Sequence, residues 1–326
     1  MKAILCPKYG SPDVLRLQEA EKPAPKDDEV LIRVHAASLN SRDLRMLRAN
    51  PVFMRLMPGG LFHPNNKILG ADFAGVIEAA GKGVKQLKPG DAVFGYMPST
   101  TRRGTLAEYV CASEKLAALK PASLTFEQAA AVPLAAMTAL QGLRGKGNIQ
   151  RGQQVLIHGA SGGVGTFAVQ TAKALGAEVT AVCSTRHVET ARSLGAGRVI
   201  DYTKEEFNQN GQRYDLILVV NGNHPLSVYL QALEPEGALV ISGGSLITLF
   251  QAAHKAKRAS KSGAGQKAVV VSLKQNPDDL ILIKELLEAG KIRPVIDRSY
   301  PLEKTPEAFW YFEKEHPRGK VVITMA

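Results

Sequence analysis

The sequence predicts an α/β protein with two domains, one built on a doubly wound parallel sheet and one mainly β. Strand-like and helix-like segments alternate from about residue 124, which is typical of a parallel sheet covered on both faces. Residues 1–123 consist mostly of short strand-like runs separated by Gly and Pro. Residues 275–326 return to strand, helix and strand, and we expect them to complete the first domain. The predicted domains are therefore 1–123 with 275–326, and 124–274.

A glycine-rich turn at the start of the alternating region is the strongest functional signal. An apolar run ending at Ile157 enters Gly159-Ala-Ser-Gly-Gly-Val-Gly165, which opens into a helix-like segment from Val164 to Leu175. This order directs helix N-terminal N–H groups and the positive end of the helix dipole toward one place, which suits a pyrophosphate. The glycines let the backbone approach the phosphates. The turn therefore predicts a dinucleotide site contacted by Ser161, Gly162, Gly163, Val164 and Gly165.

The residues after the next two strands favour NADPH over NADH. An NAD site of this type places an acidic residue about 20 positions beyond the glycine turn, but the sequence there reads Cys183-Ser-Thr-Arg186. The Ser184 hydroxyl and the Arg186 guanidinium suit a 2′-phosphate, and Tyr202 and Lys204 are expected to close the same pocket. The alternative for Arg186 is a surface helix position, which is compatible with either cofactor.

Composition narrows the classes of partner. The formal net charge of +11 favours anionic partners such as nucleotide phosphates, acidic substrates or membrane surfaces. The basic segment Lys255–Lys267 is either a solvated loop or a docking patch for an anionic substrate, for RNA or, as a weak peripheral contact, for a membrane, and no nucleic-acid motif is visible. Three cysteines far apart in the sequence argue against a disulfide framework, so we expect a cytoplasmic protein.

Several motifs, in order, resemble the quinone oxidoreductase branch of the medium-chain dehydrogenase/reductase superfamily. They are Leu69-Gly-Ala-Asp-Phe-Ala-Gly75, Lys88-Pro-Gly-Asp-Ala-Val93, Gly104-Thr-Leu-Ala-Glu-Tyr109, Gly159–Gly165, Cys183–Arg186, Val199-Ile-Asp-Tyr-Thr-Lys204 and Arg318-Gly-Lys-Val-Val322. The resemblance covers essentially the whole chain. It implies a GroES-like catalytic domain around an inserted Rossmann domain, reduction with NADPH, and a homo-oligomer, which we expect to be a dimer.

The sequence departs from the zinc-dependent members of that superfamily. Those members carry a cysteine where this chain has Asn40, and Gly-His-Glu where it has Gly70-Ala71-Asp72. The four-cysteine lobe expected after Asp91 is missing, so we expect no metal. Without zinc to polarise a carbonyl, hydride transfer to an α,β-unsaturated carbonyl or a quinone is favoured, because the charge spreads onto an oxygen that hydrogen-bond donors can stabilise.

Asn40, Asp43 and Tyr96 are the catalytic candidates. By the resemblance, Asn40 lies beside nicotinamide and substrate, where its amide is expected to donate to a substrate oxygen; the alternative is that Asn40 caps the following helix. Asp43 is expected to orient ribose or substrate hydroxyls. Tyr96 either supplies a proton, stacks on substrate, or forms part of the cleft wall.

Further cofactor contacts are expected in both halves of the chain. Asn221, Gly243 and Gly244 follow strands, and such loops face the ligand crevice of an open α/β sheet. The resemblance adds Thr138, Val270 and Val271, while Lys320 either reaches the site or lies at the domain boundary. Two alternative functions stay open: an NADPH-binding scaffold or redox sensor with little turnover, and a zinc-free alcohol dehydrogenase.

Overall fold

The chain folds into two compact units, seen in a computed structural model that describes residues 1–50, 60, 63–64, 67–98, 101, 103–209, 211–222, 224–243 and 265–325. Unit 1 comprises Met1–Leu134, Gln275–Glu288 and Pro294–Ala326, and unit 2 comprises Ala135–Lys274 and Ala289–Arg293. The predicted α/β class is confirmed. The sequence-based boundary between residues 123 and 124 compares with a unit boundary between Leu134 and Ala135.

The strands and helices of the described residues follow in chain order. The strands are β1 (Lys2–Leu5), β2 (Arg16–Glu19), β3 (Glu29–Ser38), β4 (Asp72–Ala80), β5 (Ala92–Tyr96), β6 (Tyr109–Ser113), β7 (Ala117–Leu119), β8 (Gln154–His158), β9 (Glu178–Cys183), β10 (Arg198–Asp201), β11 (Tyr214–Val219), β12 (Leu233–Ile241), β13 (Lys267–Val270), β14 (Ile296–Pro301) and β15 (Lys320–Thr324). The helices are α1 (Ser41–Arg48), α2 (Phe126–Ala130), α3 (Pro133–Leu140), α4 (Gly163–Ala174), α5 (Val188–Ser193), α6 (Leu226–Gln231), α7 (Pro277–Glu288) and α8 (Thr305–Lys314).

Unit 1 is organised around a seven-stranded sheet. Its order is β14-β15-β3-β4-β5-β7, with β6 paired to β3. The long strand β3 is apolar along most of its length, and its buried side chains join those of β4 and α8 in one core that includes Ile32, Phe73 and Phe309. The C-terminal strand β15 pairs antiparallel with β3. This pairing places the C-terminal strand in the sheet of unit 1.

Unit 2 is a doubly wound sheet with the order β10-β9-β8-β11-β12-β13, in which every pair is parallel. The strands are almost entirely apolar because both faces of the sheet are covered. The register places the last residues of neighbouring strands side by side, as in Val219↔His158 and Asp201↔Cys183. The strand order reverses between β8 and β11, so the glycine turn after β8 lies at the switch point where such sheets bind ligands.

The alanine-rich segment at the boundary between the two units is helical. The sequence predicts helical structure over Thr125–Gly142, and the structure has two helices there, α2 and α3. Proline lacks the N–H needed inside a helix and is favoured in a first turn, so Pro133 ends one helix and starts the next. The residues that follow α3, Gln141–Lys146, have π-helical hydrogen bonding. Within the described parts of the chain, no helix has the length and apolar character needed to cross a membrane.

Candidate active site

The sheet of unit 1 brings one row of polar side chains to the same face. Ser38, Asp72 and Tyr96 are direct cross-strand partners on β3, β4 and β5, and Ser38 also faces Val322 of β15. Directly opposite residues share a face of a sheet, and so do residues two positions apart on one strand. Lys320 therefore points to the same face as the row. Asn40 lies two residues beyond Ser38, the last residue of β3.

The Asp72 carboxylate lies at the centre of this group and is fully buried. Its Oδ2 accepts hydrogen bonds from Ser38 Oγ at 2.7 Å, Asn40 Nδ2 at 3.0 Å and Lys320 Nζ at 3.2 Å. Its Oδ1 accepts from the backbone N–H of Leu134 at 2.8 Å, at the start of α3. A buried carboxylate is tolerated only when it is paired and hydrogen-bonded, and four donors meet that requirement here.

The side-chain amide of Asn40 is oriented by the same network. Its Oδ1 accepts from Lys320 Nζ at 2.5 Å, while its Nδ2 donates to Asp72 Oδ2 and, at 3.2 Å, to the Ser38 carbonyl oxygen. Ammonium can only donate and carboxylate can only accept, so these partners determine which end of the amide points where. Both amide hydrogens are engaged. The expected donation from Asn40 to a substrate oxygen does not fit these contacts.

Lys320 is an ammonium almost wholly removed from water, with its side chain only 3 % exposed. An ammonium has three N–H donors. Two of them reach Asn40 Oδ1 and Asp72 Oδ2, and the described residues offer no acceptor for the third. Lys320 was predicted as a cofactor contact; the structure places it against Asp72 and against Asn40, the side chain expected beside the nicotinamide.

Asp43 has a structural task in this arrangement. It is fully buried, and its Oδ2 accepts from the backbone N–H of Asn40 at 2.9 Å, at the N-terminus of α1. Burial raises the pKa of Asp43, although the nearby Arg42 guanidinium opposes the shift. The expected role of Asp43 in orienting ribose or substrate stays a prediction, while the observed contact ties Asn40 to the start of its helix.

Tyr96 contributes a hydroxyl group that has no hydrogen-bond partner among the described residues. The side chain is buried, and burial raises the pKa of Tyr96 to about 12. The guanidinium of Arg42 donates to the carbonyl oxygen of Met97, the residue next to Tyr96. A neutral, unpaired hydroxyl on the same face as Asp72 is a donor available to a ligand, because native proteins rarely leave such a group unsatisfied.

In unit 2, the turn between β8 and α4 has the form of an anion site. Gly162 precedes α4, and no side chain caps the helix. A methyl group added at Gly165 would lie 2.1 Å from the Gly159 carbonyl oxygen, and Gly159 itself has φ +86°. Both positions therefore require glycine. A methyl group added at Gly162, in contrast, would lie 4.0 Å from the nearest atom, the Gly159 carbonyl oxygen. There is therefore open space next to the uncapped N–H donors of α4.

The ends of β9 and β10 meet beside this turn, where a 2′-phosphate was predicted. Asp201 accepts from Thr185 Oγ1 at 2.6 Å and from Thr203 Oγ1 at 2.7 Å, and these hydrogen bonds hold the pKa of Asp201 at about 2. Its carboxylate is thus turned toward the threonines, and Lys204 Nζ lies 3.5 Å from it. Tyr202 is 55 % exposed. The sequence did not single out Asp201, whose acidic group is occupied within the protein.

Most of the remaining predicted contacts of unit 2 also lie at the carboxyl ends of strands; Thr138 is in a helix. A methyl group at Gly243 would lie 2.1 Å from the Val220 carbonyl oxygen, so the chain after β12 passes very close to that after β11. Ser184 precedes the short turn after β9, Asn221 is exposed after β11, Val270 ends β13 next to Val271, and Thr138 is half-buried in α3. Gly244 and most of Lys255–Lys267 lie outside the described residues.

A buried histidine near the same turn was not predicted. His158 ends β8, directly before Gly159, and its Nδ1 lies 2.9 Å from the Asn221 carbonyl oxygen. Burial lowers the pKa of His158 to about 4, so the ring is neutral at physiological pH. Its ring packs edge-on against Phe207 at 5.5 Å between centroids. The sequence offers no periodic or spacing signal that would distinguish this histidine from an apolar strand residue.

Comparison with known proteins identifies the class. Residues 26–122 match the alcohol dehydrogenase GroES-like domain family, and residues 194–323 match the zinc-binding dehydrogenase family. The chain is 37 % identical to the mitochondrial NAD(P)H oxidoreductase RTN4IP1 of Mus musculus, over 100 % of this chain and 89 % of that protein. It is 35 % identical to the chloroplastic NADPH-dependent alkenal/one oxidoreductase of Arabidopsis thaliana, over 99 % of this chain and 79 % of that protein.

A solved structure agrees with the sequence relatives. The quinone oxidoreductase of Coxiella burnetii superposes with a TM-score of 0.88 at 31 % identity, covering 100 % of this chain and 99 % of that chain. The chain belongs to the medium-chain dehydrogenase/reductase superfamily, in its quinone oxidoreductase-like branch. It is an oxidoreductase.

The residues at the superfamily's catalytic metal position do not fit zinc. The oxygen atoms available there, Asn40 Oδ1 and Asp72 Oδ2, already accept hydrogen bonds from the Lys320 ammonium. A divalent cation at this place would meet a positive charge instead of the thiolate and imidazole ligands that zinc prefers. Among the described residues, no cluster of three His, Cys, Asp or Glu side chains has the geometry of a metal site.

Proposed function

We propose that this protein catalyses the NADPH-dependent reduction of an activated double bond, in an α,β-unsaturated carbonyl compound or a quinone, without zinc. The observation that carries the proposal is the network of Lys320, Asn40 and Asp72 at the position where zinc-dependent relatives bind their metal. An ammonium can stabilise an oxygen anion but is a weaker electrophile than zinc. Acceptors that delocalise the charge are therefore favoured over simple ketones.

The residues of unit 2 fit a nicotinamide dinucleotide. The nicotinamide supplies the hydride. The uncapped start of α4, with Ser161, Gly162, Gly163, Val164 and Gly165, would bind the pyrophosphate. Ser184, Arg186, Tyr202 and Lys204 would surround the 2′-phosphate.

NADPH is preferred to NADH because the acidic group near the predicted ribose site is already hydrogen-bonded within the protein. An NAD site needs a free carboxylate for the ribose 2′-hydroxyl. The acidic group at this edge, Asp201, is engaged by Thr185 and Thr203. Arg186 and Tyr202 offer donors that suit a phosphate. The name of the Arabidopsis thaliana relative specifies NADPH, whereas that of the Mus musculus relative, NAD(P)H oxidoreductase, covers both cofactors.

A spectrophotometric screen tests the proposal. Metal-depleted protein is mixed with NADPH and, in turn, with short enones, long-chain alkenals and quinones, and the loss of reduced cofactor is followed. We expect turnover with at least one of these classes and no change on adding zinc. Protein that binds NADPH but oxidises it with none of them would contradict the proposal and favour a cofactor-binding scaffold. Turnover of simple alcohols with NADP⁺ would favour a zinc-free alcohol dehydrogenase.

A further inference from the structure

We infer that Lys320 is a catalytic residue: its ammonium group binds the substrate oxygen on which negative charge develops, and Asp72 and Asn40 are the positioning residues that hold it there. This inference rests on the proposed function. It replaces the expected donation from Asn40 with a donor on another strand.

The hydrogen-bond inventory of the network selects Lys320. Ser38 Oγ donates to Asp72 Oδ2, and both Asn40 amide hydrogens go to Asp72 and to the Ser38 carbonyl oxygen. Neither side chain has a donor left. Two of the three N–H groups of Lys320 donate to Asn40 and Asp72. Within the described residues, Lys320 is therefore the member of this network with a donor still available.

The surroundings of Lys320 make that donor effective. Asp72 is fully buried and the Lys320 side chain is 3 % exposed, so little water competes for the third N–H. Electrostatic interactions are stronger in such a place than in water. A neutral carbonyl oxygen would accept only a modest hydrogen bond, whereas an enolate oxygen would accept a strong one. The interaction therefore stabilises the transition state more than the bound substrate.

The proposed step balances without proton transfer from the protein. Hydride adds to the β-carbon of the enone. The π pair of the carbon–carbon double bond then forms a double bond between the α-carbon and the carbonyl carbon, and the π pair of the carbonyl group moves onto its oxygen, which becomes an enolate anion. That oxygen accepts a hydrogen bond from Lys320 Nζ, which stays protonated. A water molecule then protonates the α-carbon to give the saturated ketone, and the hydroxide that remains is neutralised by a proton from solvent. Lys320 thus acts as a hydrogen-bond donor to the oxyanion.

The two positioning residues have different tasks. Asp72 supplies the negative charge that keeps a buried ammonium tolerable, and its other contacts with Ser38 and with the Leu134 N–H fix the carboxylate. Asn40 adds a neutral acceptor on another side of the ammonium, 2.5 Å from Nζ. Together the two acceptors restrain Nζ, so its third N–H has a defined direction.

Variants that separate catalysis from charge balance test the inference. Lys320→Met alone leaves Asp72 as a buried charge without its cation, which destabilises the fold. The double variant Lys320→Met with Asp72→Asn removes both charges and is expected to restore the melting temperature. Lys304→Met is the control, because Lys304 is an exposed lysine that pairs with Glu307.

With an enone substrate, we expect kcat to fall about 100-fold in both Lys320 variants, as for the loss of one oxyanion donor, and to stay unchanged in the control. The dissociation constant of NADPH, measured by fluorescence, is expected to stay within about twofold of wild type because no cofactor contact is lost. Recovery of kcat in the double variant would overturn the inference, since the loss would then come from the stranded charge. An increase in the NADPH dissociation constant with kcat preserved would instead make Lys320 a cofactor contact.

A spectroscopic probe adds a readout that a purely structural role would not change. 4-Nitrophenol is bound to the protein with NADP⁺, and its absorption reports how much of it is ionised. We expect the wild-type protein to shift the bound phenol toward its phenolate form and the double variant to lose that shift. A shift that persists without Lys320, or no shift in the wild-type protein, would contradict the inference. A wild-type enzyme that reduces enones but fails these tests would leave the proposed function intact.

Discussion

Lys320 Nζ lies 2.5 Å from Asn40 Oδ1, although 280 positions separate the two residues in the sequence. The contact exists because β15 pairs with β3, with Val322 opposite Ser38. Lys320 lies two positions before Val322, and Asn40 lies two positions after Ser38. The registration of two strands from opposite ends of the chain therefore builds the centre of the proposed active site.

Substitution of Asn40 should disturb catalysis more than folding. Asn40→Ala removes an acceptor from Lys320 and a donor from Asp72, and we expect kcat to fall about 10- to 100-fold because Nζ is less well held. Asn276→Ala is the control, since Asn276 Oδ1 accepts from the Asp278 N–H at the start of α7. It should lower stability by about 1 kcal/mol and leave kcat unchanged. Equal kcat values for the two variants would refute the assigned role of Asn40.

Two glycines of the turn before α4 should respond differently to the same added methyl group. Gly165→Ala brings Cβ to 2.1 Å from the Gly159 carbonyl oxygen, so we expect unfolding free energy to fall by more than about 2 kcal/mol. Gly162→Ala has no such contact, and the protein should fold nearly as well while binding NADPH more weakly, since the methyl group enters the anion site. Thermal unfolding with and without NADPH measures both effects. Unchanged NADPH affinity in Gly162→Ala would contradict the placement of the pyrophosphate.

Arg186 should determine the preference for the phosphorylated cofactor. Arg186→Ala removes a charged donor, and a hydrogen bond between charged groups contributes about 1.5–3 kcal/mol, so the dissociation constant of NADPH should rise about 10- to 100-fold. That of NADH should change little. Arg192→Ala serves as the control, because Arg192 forms an exposed ion pair with Glu189. A similar loss for NADH and NADPH would show that Arg186 does not contact the 2′-phosphate.

The hydroxyl of Tyr96 should matter for substrate and not for stability. It has no partner among the described residues, so Tyr96→Phe should not lower the melting temperature. We expect kcat/KM for the preferred substrate to fall about tenfold, the effect of one lost hydrogen bond. Tyr311→Phe should lower the melting temperature and leave kcat/KM unchanged, because Tyr311 Oη donates to Asp297 at 2.5 Å. Full activity of Tyr96→Phe would make Tyr96 a wall residue only.

His158 should make the protein sensitive to acid. Its pKa is about 4 in the fold against 6.5 in an unfolded chain, so the unfolded state binds the proton more readily. The stabilisation is complete above pH 6.5 and is lost as the pH falls toward 4, by up to about 3 kcal/mol.

Urea unfolding at several pH values checks this expectation. Between pH 6.5 and 4, the free energy of unfolding should decrease less in His158→Gln than in the wild-type protein. His63→Gln, at an exposed position, is the control and should follow the wild-type curve. Parallel curves for the wild-type protein and His158→Gln would contradict the assignment.

Local patterns predicted the fold well. The glycine turn is read from consecutive residues, and the predicted helix from Val164 to Leu175 differs by one residue at each end from the observed Gly163–Ala174. The alternation of strands and helices likewise gave the parallel sheet. The helical region around Pro133 was less predictable, because an alanine-rich run gives the same helical signal on both sides of the break.

The centre of the site could not be read in the same way. Asp72 appeared only as a departure from a zinc motif. Its side-chain partners lie far away in the sequence, two of them at the end of β3 and one on β15, and the register of the sheet brings them together. The same holds for Asp201, whose pairing with Thr185 depends on two parallel strand ends. The cytoplasmic location, the dimer and the membrane contact through Lys255–Lys267 stay predictions.

The position of β15 has a consequence for how the protein matures. This strand, residues 320–324, leaves the ribosome after all of unit 2, yet it pairs with β3, the earliest strand of the seven-stranded sheet. During synthesis the nascent N-terminal strands must wait with one edge unpaired, a state prone to aggregation. The lysine proposed for catalysis arrives with that last strand, so an incompletely synthesised chain would lack reductase activity even with its nucleotide fold already formed.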